Sequence, residues 1–186
     1  MGREPGNRMF RRKEKPEEGE KEELLEVDLE RGILARKEDG ARVIAMGSHG
    51  WATMEKELDS TFMTGAAVIL QRMGYAYGRA MGRAAKHQEI GPEHAFDAIQ
   101  TMARESGWGG FTLNSGDLNS GEARIVVKNC FFCLHASEAE VPVCHVLAGL
   151  VGGMVDEIIG VSHRVIEEKC IAKGDAVCEI LIERLA

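Results

Sequence analysis

The chain has 186 residues, a formal net charge of -7 and a sequence pI of about 5.4. That length suits one domain plus a tail, and the acidic balance argues against a broad nucleic-acid face. No apolar run reaches the roughly 18 residues of a membrane span and no signal peptide is visible, so a cytoplasmic protein is expected.

Aromatic residues make up only 5% of the chain, so the core has to lean on Met, Val, Ile, Leu and Ala. The five cysteines are an odd number clustered in the C-terminal third. They fit reduced thiols better than a disulfide framework.

Residues 1–23 carry Pro, Gly and dense charge with almost nothing apolar. Such a segment cannot bury enough surface to offset its ordering entropy, and a disordered charged tail is expected. Residues 24–186 are expected to form a single domain. Its first part holds two short apolar runs, 33–35 and 43–46, flanking Glu38-Asp39-Gly40, which reads as an N-terminal strand pair.

From Thr53 to Lys86 apolar residues recur every three or four positions, which predicts one long helix. Gly74, Gly78 and Gly82 line one side of it. Glycine costs about 1 kcal/mol per helical position, so three in register imply either close approach of another element or room for a ligand. Gly91-Pro92 ends this unit, and a second helix is expected from Glu93 to Glu105.

A turn at 106–110 leads into a strand, the polar stretch 114–121 reads as a loop, and Ala123–Lys128 reads as the next strand. Cys130-Phe131-Phe132-Cys133 follows directly. A CxxC is compatible with plain packing, a second or alternative metal site, or redox chemistry. The absence of an obvious helix start or nearby base favours packing. Pro142 to Ile159 reads as the last helix, with a Gly-rich apolar stripe.

The remaining residues carry the most specific pattern. Cys144 heads the last helix, Glu167-x-x-Cys170 ends a strand, and Cys178 follows a Lys173-Gly174-Asp175 turn. Alternating apolar residues on both sides of that turn predict an antiparallel hairpin with Cys170 and Cys178 close together. Glu167 lies three residues before Cys170, so aiming both inward requires a bulge or twist. Three thiolates and one carboxylate suit tetrahedral zinc with no open position, hence a structural site. Spacing alone is equally compatible with buried free thiols.

This arrangement of Cys, Glu-x-x-Cys and Gly-Asp-x-x-Cys before a short terminal strand resembles the 4-vinyl reductase domain family. That family includes sensor domains of phenol- and xylene-responsive activators and is related to Golgi tethering subunits. The resemblance implies an α+β fold, with an antiparallel sheet covered by helices on one face and a C-terminal hairpin pinned by zinc. It also implies that Cys144, Glu167, Cys170 and Cys178 are the ligands of one structural Zn2+.

The resemblance further implies a pocket between sheet and helices, for which Met73, Tyr77, Phe96, Trp108, Phe111, Val127 and Phe131 are the candidate walls. Trp108 and Val127 stand where the aromatic sensors place a His and a Trp, which favours a more apolar or flatter ligand than phenol.

No nucleophilic triad or acid/base pair can be assembled from the sequence, so a self-sufficient enzyme is not expected. The expected function is binding a small hydrophobic molecule, as sensor or carrier, in a homodimer. No DNA-binding or ATPase segment is visible, so a separate signalling partner is expected. The alternatives are a role in reducing a tetrapyrrole vinyl group, and a ligand-free assembly module.

Overall fold

Strict alternation of apolar side chains builds the main sheet. In β4 (Glu122–Lys128) Ala123, Ile125 and Val127 are buried, and in β6 (Cys178–Arg184) Cys178, Ile180 and Ile182 are buried. The antiparallel register sets these six residues opposite one another as Ala123↔Ile182, Ile125↔Ile180 and Val127↔Cys178. They therefore share one face, as a two-residue period requires. β3 (Gly110–Asp117) lies outside β4 and β5 (His163–Lys169) outside β6, giving the order β3-β4-β6-β5, antiparallel throughout.

This computed structural model describes residues 24–136 and 138–185, so the expected tail at 1–23 lies outside the described residues. The chain divides into two compact units, Met1–Ala45 and Met46–Ala186. In the first, β1 (Leu25–Asp28) pairs with β2 (Ile33–Arg36). The closing turn uses Gly32 at φ 63° and an Arg31 N–H donated to the Asp28 carboxylate at 3.0 Å. The expected pairing across Glu38–Gly40 is reduced to one bridge, Ala35↔Arg42, and a Val43 N–H to Leu34 carbonyl bond of 2.9 Å. Residues 33–36 thus pair with the segment before them.

In the second unit, the single helix expected over 53–86 forms as two, α1 (Ser48–Phe62) and α2 (Thr64–His87). Met63 between them has φ 49°, a left-handed conformation that an L-residue rarely adopts. Its N–H closes α1 on the Asp59 carbonyl, and its carbonyl accepts the Ala66 N–H of α2. The i, i+4 apolar spacing runs straight through this break, so periodicity carries no sign of it. α3 (Ala95–Glu105) follows a 3-10 turn at Pro92–His94.

The final helix, α4 (His145–Ile159), starts three residues later than the Pro142 onset expected. It is buried almost all round, between α2 and β5. The glycines of α2 explain how. A Cβ on Gly74 or Gly78 would lie 2.2 Å from the carbonyl oxygens of Val146 and Leu150 on α4. The relation is reciprocal, since a Cβ on Gly149 or Gly153 would lie 2.1–2.2 Å from the carbonyl oxygens of Gln71 and Tyr75. The glycine register is a backbone-to-backbone helix contact, leaving no room for a ligand along that line.

Polar groups lock the same interface at its end. The Tyr75 hydroxyl donates to Asp156 Oδ2 at 2.8 Å, and Asp156 Oδ1 lies 2.8 Å from the His163 N–H and 2.9 Å from its Nδ1.

Candidate functional site

Four chain segments deliver the sulfur-bearing residues to one place. Cys144 occupies the N-cap of α4, where the helix dipole favours a negative sulfur. Glu167 comes from β5, and the β5–β6 register shifts between Glu167 and Lys169. That bulge is the device the Glu-x-x-Cys spacing requires.

Cys170 follows β5 and opens a 3-10 turn over Ile171–Lys173 that ends at Gly174 in the left-handed region, φ 96°. The Asp175 carboxylate accepts the Cys170 N–H at 2.8 Å, and the Ile171 N–H points at Cys178 Sγ at 3.5 Å. Cys178 opens β6.

The donor atoms of Cys144, Glu167, Cys170 and Cys178 all lie within 4.8 Å of one another. Cys144 Sγ is 3.9 Å from Cys170 Sγ and 3.8 Å from Cys178 Sγ. All three thiols are fully buried and Glu167 is 9% exposed. The Cys144 N–H donates to Glu167 Oε2 at 2.8 Å, while Glu167 Oε1 is buried without a partner. A buried carboxylate oxygen left unpaired is costly, and a cation among these four donors removes that cost. The donor set and this orphaned oxygen fit a thiophilic metal ion.

The electrostatics agree. Burial pushes the Glu167 carboxyl up to about 8. The Cys178 thiol is drawn down to about 5, chiefly by its interaction with Cys130, and Cys170 down to about 6, chiefly by Cys133. Cys144 is pushed up, first by Cys130, and Cys133 is pushed up to about 12, again first by Cys130. The cluster thus mixes thiolates with thiols even before a cation enters, and thiolates are the metal-binding form.

Cys130 and Cys133, read from the sequence chiefly as packing residues, join this cluster. β4 ends at Lys128, Asn129 turns the chain at φ 53°, and the Phe131 N–H bonds the Trp108 carbonyl at 3.0 Å. The turn delivers Cys130 Sγ to 3.5 Å from Cys144 Sγ and Cys133 Sγ to 3.5 Å from Cys178 Sγ. Cys130, Cys133, Cys144 and Cys178 form a second four-donor group, also within 4.8 Å.

The expected pocket walls are scattered by comparison. Phe111 and Val127 face each other across β3 and β4 and are buried in the core. Phe96 and Phe131 are half-buried, whereas Met73 and Tyr77 are each 55% exposed on α2. Trp108 is buried between Gly107 at φ 73° and Gly109 at φ 139°. A side chain on Gly109 would strike the Lys128 carbonyl at 2.7 Å, so the glycine lets the Trp108 segment pack against the end of β4.

Tyr77 meets Trp108 edge-on at 6.2 Å, and Trp108 continues through Phe132 to Trp51 and Phe131 with ring centroids 5.6–6.4 Å apart. Trp51 and Phe132 were not anticipated from sequence. Glu55, four residues after Trp51 on α1, is likewise new; burial pushes its carboxyl up to about 7. Their i, i+4 spacing is the signal that would have paired them. A separate cleft of about 380 Å³ opens beside Cys144 and Glu167, lined also by Gln71, Pro142, His145 and Val165. None of the seven expected wall residues lines it.

Fold and site together define an α+β domain with a buried cysteine-rich centre. Residues 123–184, which contain all five cysteines, match the 4-vinyl reductase domain family, and this segment belongs to it. Two proteins of Methanocaldococcus jannaschii described as uncharacterized are 23% identical over 109 residues and 30% identical over 128 residues. Those alignments take in 59% and 69% of this chain but 62% and 59% of the relatives, so the chain spans about three fifths of their length.

Among solved structures, the phenol-responsive sensory domain of the transcription activator PoxR superposes with a TM-score of 0.71 at 20% identity. The match covers 87% of this chain and 85% of that domain. A trafficking protein particle complex subunit 3 from Naegleria fowleri, described as covalently bound to palmitic acid, gives 0.58 at 12% identity over 75% and 93% of the two chains. A vinyl-4-reductase family protein from Methanocaldococcus jannaschii gives 0.56 at 15% identity over 77% and 85%. At these identities the likeness is one of fold. No helix among the described residues is long and apolar enough to cross a membrane.

Proposed function

We propose that this chain binds a small hydrophobic molecule, as a sensor or carrier, in a domain whose C-terminal hairpin is pinned by one structural zinc. Cys144, Glu167, Cys170 and Cys178 hold that zinc in this reading, and the orphaned Glu167 oxygen supports it.

The observation that carries the binding reading is the aromatic cluster. Both tryptophans of the chain meet in it, and half-exposed Tyr77 covers Trp108 from the α2 side. Rotation of Tyr77 opens a path to Trp108, with Met73 beside it on α2 and Phe96, Phe111, Val127 and Phe131 as the deeper walls. A mostly hydrophobic surface with few polar anchors suits a flat or aliphatic ligand. Both solved relatives whose descriptions include a small molecule, phenol or palmitic acid, share this fold, which supports the same reading.

Exposed apolar side chains on α1 and α2, among them Met54, Phe62 and Val68, support a homodimer that covers them. The free thiols support a reducing, cytoplasmic setting. Signalling passes to a separate partner.

Because both tryptophans lie in the cluster, intrinsic fluorescence reports binding directly. Titration with naphthalene and with palmitate is expected to change the emission, and Trp108→Phe to remove most of the change. Unchanged emission with both probes, together with no organic mass retained by the purified protein, would favour an assembly module.

A further inference from the structure

The two four-donor groups share Cys144 and Cys178. We propose that the cluster holds two zinc ions, the second bound by Cys130 and Cys133, with the Cys144 and Cys178 thiolates bridging it to the first. This rests on reading the Cys144, Glu167, Cys170 and Cys178 group as a zinc site.

The donor count closes. Two tetrahedral ions joined through two shared ligands need four further ligands, two each. Cys130 and Cys133 supply one pair and Glu167 and Cys170 the other. A Zn–S bond of about 2.3 Å puts sulfurs on a tetrahedron edge about 3.8 Å apart. The shared edge Cys144–Cys178 is 3.8 Å, and the edges reaching toward the CxxC pair are both 3.5 Å. Thus neither pair must travel to close on an ion.

Cys130 and Cys133 are 1% and 2% exposed, so the second position is as dry as the first. The site has no open coordination position and is structural in character.

Charge does not oppose the second ion. One zinc among three thiolates and one carboxylate leaves a net charge of -2, with Cys130 and Cys133 kept as neutral thiols. Two zincs among five thiolates and one carboxylate leave the same net charge. The second ion is balanced by the two protons its terminal thiols release. Each bridging sulfur already carries short contacts to sulfurs of both groups, which is the arrangement a shared thiolate has.

The consequence is mechanical. The CxxC turn also carries Phe131 and Phe132, which pack on Trp51 and Trp108. The second zinc would tie the aromatic cluster to the C-terminal hairpin through metal–sulfur bonds.

The test is metal stoichiometry on the full chain purified in zinc-containing medium, with zinc-edge X-ray absorption on the same sample. Two zincs per chain are expected, with a sulfur-dominated shell and a metal–metal scattering vector. A C130S/C133S variant is expected to retain one zinc and lose that vector. One zinc per chain in the unaltered protein overturns the second site and leaves the first standing. No metal at all overturns both. Iron with acid-labile sulfide, or a second zinc that persists in the double variant, also overturns the proposal. Should the variant fail to fold, presence or absence of the metal–metal vector in the unaltered protein decides.

Discussion

The α2–α4 contact makes a sharp prediction about two glycines on one helix. At Gly78 an added Cβ would lie 2.2 Å from the Leu150 carbonyl oxygen. That is more than about 1 Å inside an ordinary nonbonded contact, and a backbone carbonyl within a helix cannot swing away. Gly78→Ala therefore forces the helices apart, and overpacking of this kind costs about 1–3 kcal/mol or more. The gain in helix propensity of about 1 kcal/mol offsets only part of it.

At Gly65, also in α2, the nearest atom to an added Cβ is Phe62 Cβ at 3.8 Å, an ordinary contact. Gly65→Ala keeps whatever propensity gain its place near the helix start allows, without the clash. The two variants should differ in unfolding free energy by about 2–3 kcal/mol, with Gly78→Ala the less stable. For a chain of this size that is roughly 5–10 °C in melting temperature. Thermal and urea unfolding of the two purified variants side by side reads the difference. Equal stability would refute backbone-to-backbone packing as the reason for the glycine register.

Other consequences follow from the same contacts. Cys170→Ser should lower both metal content and thermal stability, by several kcal/mol, because structural zinc binding is folding free energy; elemental analysis and melting curves on one sample check both. The zinc-loaded protein should gain stability as pH rises from about 5 to 8. The unfolded chain then carries protons on thiols that the metal-bound native state has lost, and stability increases with pH wherever the unfolded state binds more protons. Urea midpoints across that range, flat or falling, would count against it. Asp156→Ala removes the acceptor for Tyr75 and His163 and should destabilise by about 3 kcal/mol, against about 1 kcal/mol for Tyr75→Phe.

How much could be read in advance depends on sequence distance. The C-terminal site was legible because Glu167, Cys170 and Cys178 lie in one hairpin, where local spacing fixes geometry and even announces the bulge between Glu167 and Lys169. The glycines of α2 were legible as a close approach, though not the partner they approach. The place of Cys130 and Cys133 was not, because their contact with Cys178 depends on the pairing of β4 with β6, which sets Val127 opposite Cys178 across the sheet. The break at Met63 was hidden because apolar spacing continues through it and no proline marks it. Strand pairing in 24–45 was ambiguous for a plain reason: Gly32 and Gly40 offer turns on both sides of Ile33–Arg36. Trp51 joined the aromatic cluster only once α1 had been placed over the CxxC turn.

The buried cysteine cluster as a metal centre is tested most directly by native mass spectrometry of the purified protein, followed by the same sample after denaturation. The account predicts zinc bound to each folded chain and released when it unfolds. A folded chain at its bare polypeptide mass, with five free thiols and no metal, would contradict it.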